Sequence, residues 1–257
     1  MPYNGKWRGS FPDTVFSKTT PYRRIYPVSV VMHSTSDISA NRCRHETKLP
    51  LQRQQFQELR PAFIGMGLHP RRMYADRRVN SIYLDTPEFD DYHDGVSGLS
   101  RRCKTRIRWY HKDTEHVVLE LKRKKNKIAT KYVFQMQNSS GLIPRDQSLL
   151  QSLVTENSDQ YPAGIAGLYR PVLEVNYKRS YFELKPGIRM TIDQDIQYRK
   201  LSPTVSCQMK SSPVDYVVEF KYPVGQESEF GHLLRDLPFR FFRHSKYVVG
   251  MDTVTVG

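Results

Sequence analysis

Charged side chains recur at every second position in several separate segments of this chain, and the spacing suggests where chemistry could be done. Arg106 and Arg108 flank Ile107, Glu120 and Lys122 flank Leu121, and Glu219 and Lys221 flank Phe220. Arg44, Glu46 and Lys48 continue the pattern, as do Arg189, Thr191 and Asp193 against Met190 and Ile192. Side chains on a strand alternate faces with period two, so each segment, read as a strand, carries its charges on one side and its apolar residues on the other. Such rows suit electrostatic work. Guanidinium forks grip oxyanions bidentately, lysines act as movable point charges, and interspersed carboxylates can pair with either or hold a hard cation.

Alternation alone fits two architectures. In the first, the common case, the charged face is the solvated outside of an ordinary antiparallel sheet. In the second it lines the inside of a barrel whose apolar outer face is covered by helices. The compact Glu-x-Lys and Arg-x-Arg pairs, with abundant apolar residues on the opposite face, favour the second arrangement. Inward charges are costly unless paired or liganded, so a charged lumen implies a bound anion.

The elements needed to position these residues are legible in outline. Short β-branched and aromatic runs, separated by turn residues, predict strands at 79–85, 103–110, 117–122, 131–137, 171–182, 187–197 and 216–222. Turn signals include Asp85-Thr86-Pro87, Asp94-Gly95 and Pro186-Gly187. Leu51, Phe56, Leu59, Phe63 and Ile64 recur at helical spacing, with Pro61 breaking or kinking one or two short helices. Leu149, Leu150 and Leu153 mark another short helix, followed by a loop to 168, and Phe230 to Asp236 a further one. The fold class expected is α+β, mainly antiparallel β: a closed tunnel barrel of about eight strands with helices packed on the outside. Residues 1–40, rich in Pro, Ser, Thr and Tyr without periodicity, read as a partly ordered N-terminal tail, and 41–257 as one domain.

Composition is consistent with this. The chain has 257 residues, 38% of them hydrophobic, enough for one barrel-sized core, and a formal net charge of +14 that calls for an anionic partner. Cys43, Cys103 and Cys207 form no C-x-x-C pair or zinc spacing, which suits a reducing compartment. With no apolar run approaching the ~20 residues of a spanning helix and no signal-peptide layout, the sequence reads as cytoplasmic. His45, His111, His116 and His244 lack metal-binding spacing and read as surface or packing residues, and Trp109 as packing. The run from Lys122 to Lys127 reads as a solvated hairpin tip that would also steer polyanions inward. Glu interleaved with Lys on one strand face argues against nucleic acid, whose backbone it would repel.

Six segments in series resemble a known family. They are Arg44-His45-Glu46-Thr47-Lys48; Ser81-Ile82-Tyr83-Leu84-Asp85-Thr86-Pro87; Leu99-Ser100-Arg101-Arg102 running into Lys104-Thr105-Arg106-Ile107-Arg108-Trp109-Tyr110; Leu119-Glu120-Leu121-Lys122; Val218-Glu219-Phe220-Lys221-Tyr222; and Ser245-Lys246-Tyr247. From about Asn41 to Asp252 the chain resembles the vacuolar transporter chaperone (VTC) domain, the polyphosphate polymerase branch of the triphosphate tunnel metalloenzymes, or CYTH-like superfamily.

The resemblance implies a tunnel in which ATP is held by its triphosphate and its γ-phosphate is passed to a growing polyphosphate chain. It implies that Lys48, Arg106, Arg108, Lys122, Arg189 and Lys246 are catalytic bases of the tunnel wall, and that Lys131, Arg199, Ser245 and Lys221 bind phosphate. Glu46 and Glu120 would be acidic tunnel members, orienting a water or pairing with Lys48 or Lys122, and Glu219 would hold Mn²⁺ or Mg²⁺. ATP, polyphosphate or triphosphate are the implied partners. Eukaryotic members of the family carry a phosphate-sensing domain and membrane helices that these 257 residues do not include, so the resemblance also points to a separate membrane or sensor partner. With water as acceptor the same site would be a triphosphatase or polyphosphatase, and without turnover a polyphosphate-binding protein.

Overall fold

The computed structural model describes residues 44–125, 128–137, 143, 147–157, 167–202, 207–223 and 225–255. The expected tail at 1–40, Cys43, Asn126 and Lys127 of the basic run, and most of the loop before 168 lie outside the described residues. A nine-stranded antiparallel sheet dominates. Its strands are β1 (Arg44–Leu51), β2 (Arg71–Asp85), β3 (Arg101–Tyr110), β4 (Asp113–Lys125), β5 (Ile128–Met136), β6 (Arg170–Lys185), β7 (Ile188–Lys200), β8 (Lys210–Ser211) and β9 (Tyr216–Pro223). Five helices accompany them: α1 (Arg53–Gly65), α2 (Asp90–Ser97), α3 (Gln147–Glu156), α4 (Glu227–Arg235) and α5 (Lys246–Thr255).

Neighbouring strands run in the order β1-β9-β7-β6-β2-β3-β4-β5, with β8 added against β7. Among the described residues no backbone ladder joins β5 to β1, so the sheet is not hydrogen-bonded into a closed ring. It nevertheless curls. The Lys122 ammonium on β4 donates to the Glu46 carboxylate on β1 at 3.1 Å, although five strands lie between them in the pairing order.

Apolar residues on the convex face meet α1, α3 and α4, whereas α5 does not lie outside as expected but packs through Tyr247 and Met251 on Tyr83, Tyr177 and Tyr198 of the face that carries the charges. Leu119, Leu121, Ile107 and Trp109 pack with Leu150, Leu153 and Val154 of α3, which places Trp109 in the core. Leu49, Met190, Val218 and Phe220 pack with Leu59 and Phe63 of α1 and with Phe230 of α4. Helix α1 is a single helix that runs through Pro61 rather than stopping there. Each cluster follows the period-two pattern of the sequence, and the burial of its large side chains supplies the main driving force for the sheet to curl.

Two helices run against local signals. Asp94-Gly95, expected to be a turn, lies inside α2. Gly95 is there for close packing: a Cβ would come within 2.8 Å of Val248 Cγ2 on α5. Helix α5 was not expected at all, because Val248, Val249, Thr253, Val254 and Thr255 favour strands. Tertiary contacts override that preference. Asp85, fully buried at the end of β2, accepts from the backbone N–H groups of Thr86, Asp91 and Tyr92 and from the Tyr247 hydroxyl. One carboxylate thereby caps α2 and anchors α5 to the sheet.

Gly250 brings α5 directly onto β6 and β7, since a Cβ there would lie 2.6 Å from Tyr198 Cδ1 and 2.7 Å from Leu173 Cδ2. Gly250→Ala is therefore expected to destabilise the domain by about 1–3 kcal/mol through overpacking, read as a lower denaturant midpoint with unchanged slope.

Candidate functional site: a basic basin on the concave face

The concave face collects the alternating charges from seven strands and the start of α5. On β3, Arg106 donates from Nε to Glu120 Oε2 at 2.7 Å and from Nη1 to the Tyr83 hydroxyl at 3.1 Å. Arg108 is 6% exposed and donates to Ser81 Oγ at 3.2 Å and to the Tyr177 hydroxyl at 3.3 Å, with Glu120 3.4 Å from its Nη1. Lys131 on β5 reaches the other Glu120 oxygen at 2.5 Å. Glu120 thus clamps three cations. Burial alone would raise its carboxyl, but Arg106, Arg108 and Lys131 hold it far below the ordinary glutamate range.

A second clamp lies across the basin. Asp193 on β7, fully buried, takes a two-pronged contact from Arg179 on β6, Nε to Oδ1 at 2.5 Å and Nη2 to Oδ2 at 2.7 Å. Lys246, the first residue of α5, donates to Asp193 Oδ2 at 2.5 Å and sits 4.7 Å from the Tyr177 ring centroid. Against the upward pull of burial, Arg179 and Lys246 hold Asp193 down at about 2. At the third corner, Glu219 on β9 lies 3.5 Å from Lys48 and 2.9 Å from Lys221, and Glu46 bridges Lys122 and Lys221. Lys48 also donates to the His244 carbonyl at 3.1 Å. Burial works against its charge, but Glu219 and Glu46 hold the Lys48 ammonium above its usual range. Burial pushes His244 itself down to about 3, so it is neutral packing near the basin floor.

The structure brings together Lys48, Arg106, Arg108, Lys122, Lys131, Lys221, Lys246, Ser245, Glu46, Glu120 and Glu219. Ser245 caps α5, accepting from the Val248 N–H and, at 2.6 Å, from the Lys104 ammonium. Arg189 keeps the phase of Thr191 and Asp193 and stands exposed at the start of β7, opposite Glu183 and Lys221 in the ladders. One expected member does not join: Arg199 is on the opposite face, paired with Glu174. The cause is a bulge: Asp195 has φ 53, and pairing with β6 jumps from Gln194 to Gln197. The extra residue flips the alternation, so Ile196 and Tyr198 take the inner face and Arg199 turns outward.

Sequence reasoning missed Arg179, Lys104 and the tyrosines Tyr83 and Tyr177. Arg179 shares the face of Tyr177, a readable i+2 relation, but the adjacent Lys178 on the other face leaves no alternation of charge to mark it. Lys104 precedes Arg106 in the same phase and could have been found by extending the Arg-x-Arg row. Burial, together with Lys48, Arg102, Lys122 and Arg106, pushes its ammonium down to about 7.

The sign of the resulting pH dependence follows directly. Between pH 7 and the usual lysine value near 10.5, the unfolded chain holds a proton at this lysine that the folded protein has lost, so Lys104 makes stability rise with pH in that window. Thermal melts of the unliganded protein at pH 7 and pH 9 are expected to show a smaller rise in Lys104→Met than in the unaltered protein.

In the basin the basic side chains outnumber the carboxylates about two to one. Such a surplus, fixed in forks and lined by phenols, has the charge and the donors that a polyanion requires. Comparisons with known proteins agree in class. The family model of the VTC domain matches residues 43–255, and the chain belongs to that family. No curated protein matches the chain.

Three solved structures overlap it loosely. One is a Pyrococcus horikoshii protein, at 15% identity over 82% of this chain and 98% of that one, with a TM-score of 0.45. Another is a Hippeastrum protein described as a proposed adenylyl cyclase with dominant triphosphatase activity, at 16% identity over 80% and 94%, with a TM-score of 0.49. The third is a proposed adenylate cyclase from Vibrio parahaemolyticus, at 11% identity over 81% and 97%, with a TM-score of 0.44. At these scores the overlaps bear no argument about function. Among the described residues no helix is long and apolar enough to cross a membrane.

Proposed function

We propose that the chain is a metal-dependent polyphosphate polymerase that binds ATP by its triphosphate in the basic basin and passes the γ-phosphate to a polyphosphate chain. The observation that carries this reading is the pair of clamps. Glu120 and Asp193 hold Arg106, Arg108 and Arg179 in place before any ligand arrives, and they leave the basin with a surplus of positive charge. Fixed guanidinium groups are suited to a phosphoryl group whose charge spreads over its equatorial oxygens, because they need no reorganisation as that charge develops.

Lys246, Lys131 and Lys122 supply further charge that can shift from carboxylate to phosphate. The terminal oxygen of the acceptor chain forms the new P–O bond, the bond between γ-phosphorus and its bridging oxygen breaks, and ADP leaves with the bonding pair. With water as acceptor the same geometry would be a triphosphatase. Membership of the VTC domain family favours the polymerase. A closed tunnel around the polyphosphate is part of this proposal, with the Lys122–Glu46 contact as the side-chain link between the two open edges.

Glu219 fits a hard cation. Its carboxylate, 6% exposed and beside Lys48 and Lys221, would hold Mg²⁺ or Mn²⁺, hard cations that prefer oxygen ligands. Such an ion would neutralise charge on the phosphates. Lys48 and Lys221 would then turn to phosphate oxygens.

Glu219→Ala is expected to lower metal-dependent ADP release from ATP by at least a hundredfold while tripolyphosphate binding, followed by calorimetry, persists. Full turnover in that variant would remove Glu219 from the metal site. Absence of ADP release in the unaltered protein, with tripolyphosphate still bound, would leave a binding protein.

A further inference from the structure

A basin that recognises phosphates alone cannot tell a nucleotide donor from the inorganic chain it would extend, so a polymerase needs a contact with the nucleoside. At one end of the concave face the structure offers a suitable cluster. Tyr110 lies two residues beyond Arg108 on β3, and Tyr181 two residues beyond Arg179 on β6. At ~3.4 Å per residue each phenol stands one short step, about 7 Å, past a clamped guanidinium and on the same face.

Arg77 on β2, directly opposite Arg179 in the ladder, places its guanidinium carbon 5.6 Å from the Tyr110 ring centroid and 5.7 Å from that of Tyr181. Tyr74 meets Tyr181 edge to face at 5.9 Å. Among the described residues no carboxylate pairs with Arg77, and both it and Tyr74 are exposed, Tyr74 at 58%. The cluster is therefore aromatic and cationic, its two rings partly exposed and its guanidinium exposed, with a clamped arginine on either strand leading to it. Trp109, read from sequence as packing, is buried on the other face and takes no part.

Resting on the phosphate-site reading above, we propose that Tyr110, Tyr181 and Arg77 form a nucleobase-stacking platform that selects a nucleoside triphosphate as phosphoryl donor. The triphosphate extends inward from the platform to Arg108, Arg179 and Lys246, with the ribose spanning the step between ring and guanidinium. Every base presents a π-face, so stacking of this kind tolerates different bases, and purines gain more than pyrimidines from their larger area. Arg77 adds a guanidinium plane whose charge also favours the α-phosphate.

Calorimetric titration of the full chain with ATP and, separately, with inorganic tripolyphosphate tests the platform. In Tyr110→Ala and Tyr181→Ala, ATP affinity is expected to fall about tenfold, the usual scale for losing one base–aromatic stack. Tripolyphosphate affinity should stay within twofold. Tyr110→Phe and Tyr181→Phe keep the ring and should keep ATP affinity, which separates stacking from loss of the fold.

Three results would overturn the platform: unchanged ATP affinity in both alanine variants, an equal fall for both ligands, or equal affinity of the unaltered protein for ATP and tripolyphosphate. If the unaltered protein bound ATP but not tripolyphosphate, the phosphate-site reading would fall instead.

Discussion

Replacing Glu120 with alanine is expected to lower the thermal midpoint of the unliganded protein by roughly 10 °C. The carboxylate is 4% exposed and neutralises Arg106, Arg108 and Lys131 together. Removing one partner of a buried ion pair typically costs about 3–5 kcal/mol, because the charge left behind is neither hydrated nor compensated. In a domain of this size each kcal/mol moves the midpoint by about 2–4 °C.

The same logic predicts a rescue. Tripolyphosphate would supply the missing negative charge, so it should raise the midpoint more in Glu120→Ala than in the unaltered protein. Differential scanning calorimetry with and without the anion reads both effects. A variant that melts within 2 °C of the original would show that the three cations find solvent or another acid, and that Glu120 is no clamp.

The second large effect is on turnover. Arg108→Ala is expected to reduce the rate of ADP formation by 10²–10³-fold, the scale for losing one fixed donor at a site of developing charge. Arg108 is held by Ser81, Tyr177 and Glu120 from three directions, so its fork arrives oriented. Lysine keeps the charge but not the fork, so Arg108→Lys should recover only part of the loss. Steady-state rates, with the circular dichroism spectrum as a control for folding, distinguish this from a structural role. A rate within fivefold of the original in a well-folded Arg108→Ala would make Arg108 a mere partner of Glu120.

The inner rows of β1, β3, β4 and β9 could be read from sequence because those strands are regular where the charges sit. A period-two pattern survives there from Glu46 to Lys48, Arg106 to Arg108, Glu120 to Lys122 and Glu219 to Lys221. It fails on β7, where one extra residue at Asp195 reverses the alternation and turns Arg199 outward. Bulges leave little trace in sequence, since any residue that tolerates positive φ can occupy them.

Arg179 escaped for another reason: it follows Lys178 directly, so no charge alternation marks its face, and its partner Asp193 is brought to it only by the pairing of β6 with β7. Helix α5 was invisible locally because its β-branched residues favour strands; the Asp85–Tyr247 bond and the packing of Gly250 against β6 and β7 hold it in place. Yet its first residue completes the second clamp. The expected closed barrel was legible only as a curled sheet with charges inside, because closure depends on edges rather than on the pattern within each strand.

The central claim, phosphoryl transfer from ATP to a polyphosphate chain, is tested most directly by incubating the full chain with ATP and Mn²⁺ or Mg²⁺ and following phosphorus NMR, with products resolved on a gel. The account predicts a growing signal from internal phosphates of a long chain, a ladder on the gel, and one ADP for each phosphate incorporated. Stoichiometric orthophosphate with no internal-phosphate signal would contradict it and assign the basin to hydrolysis.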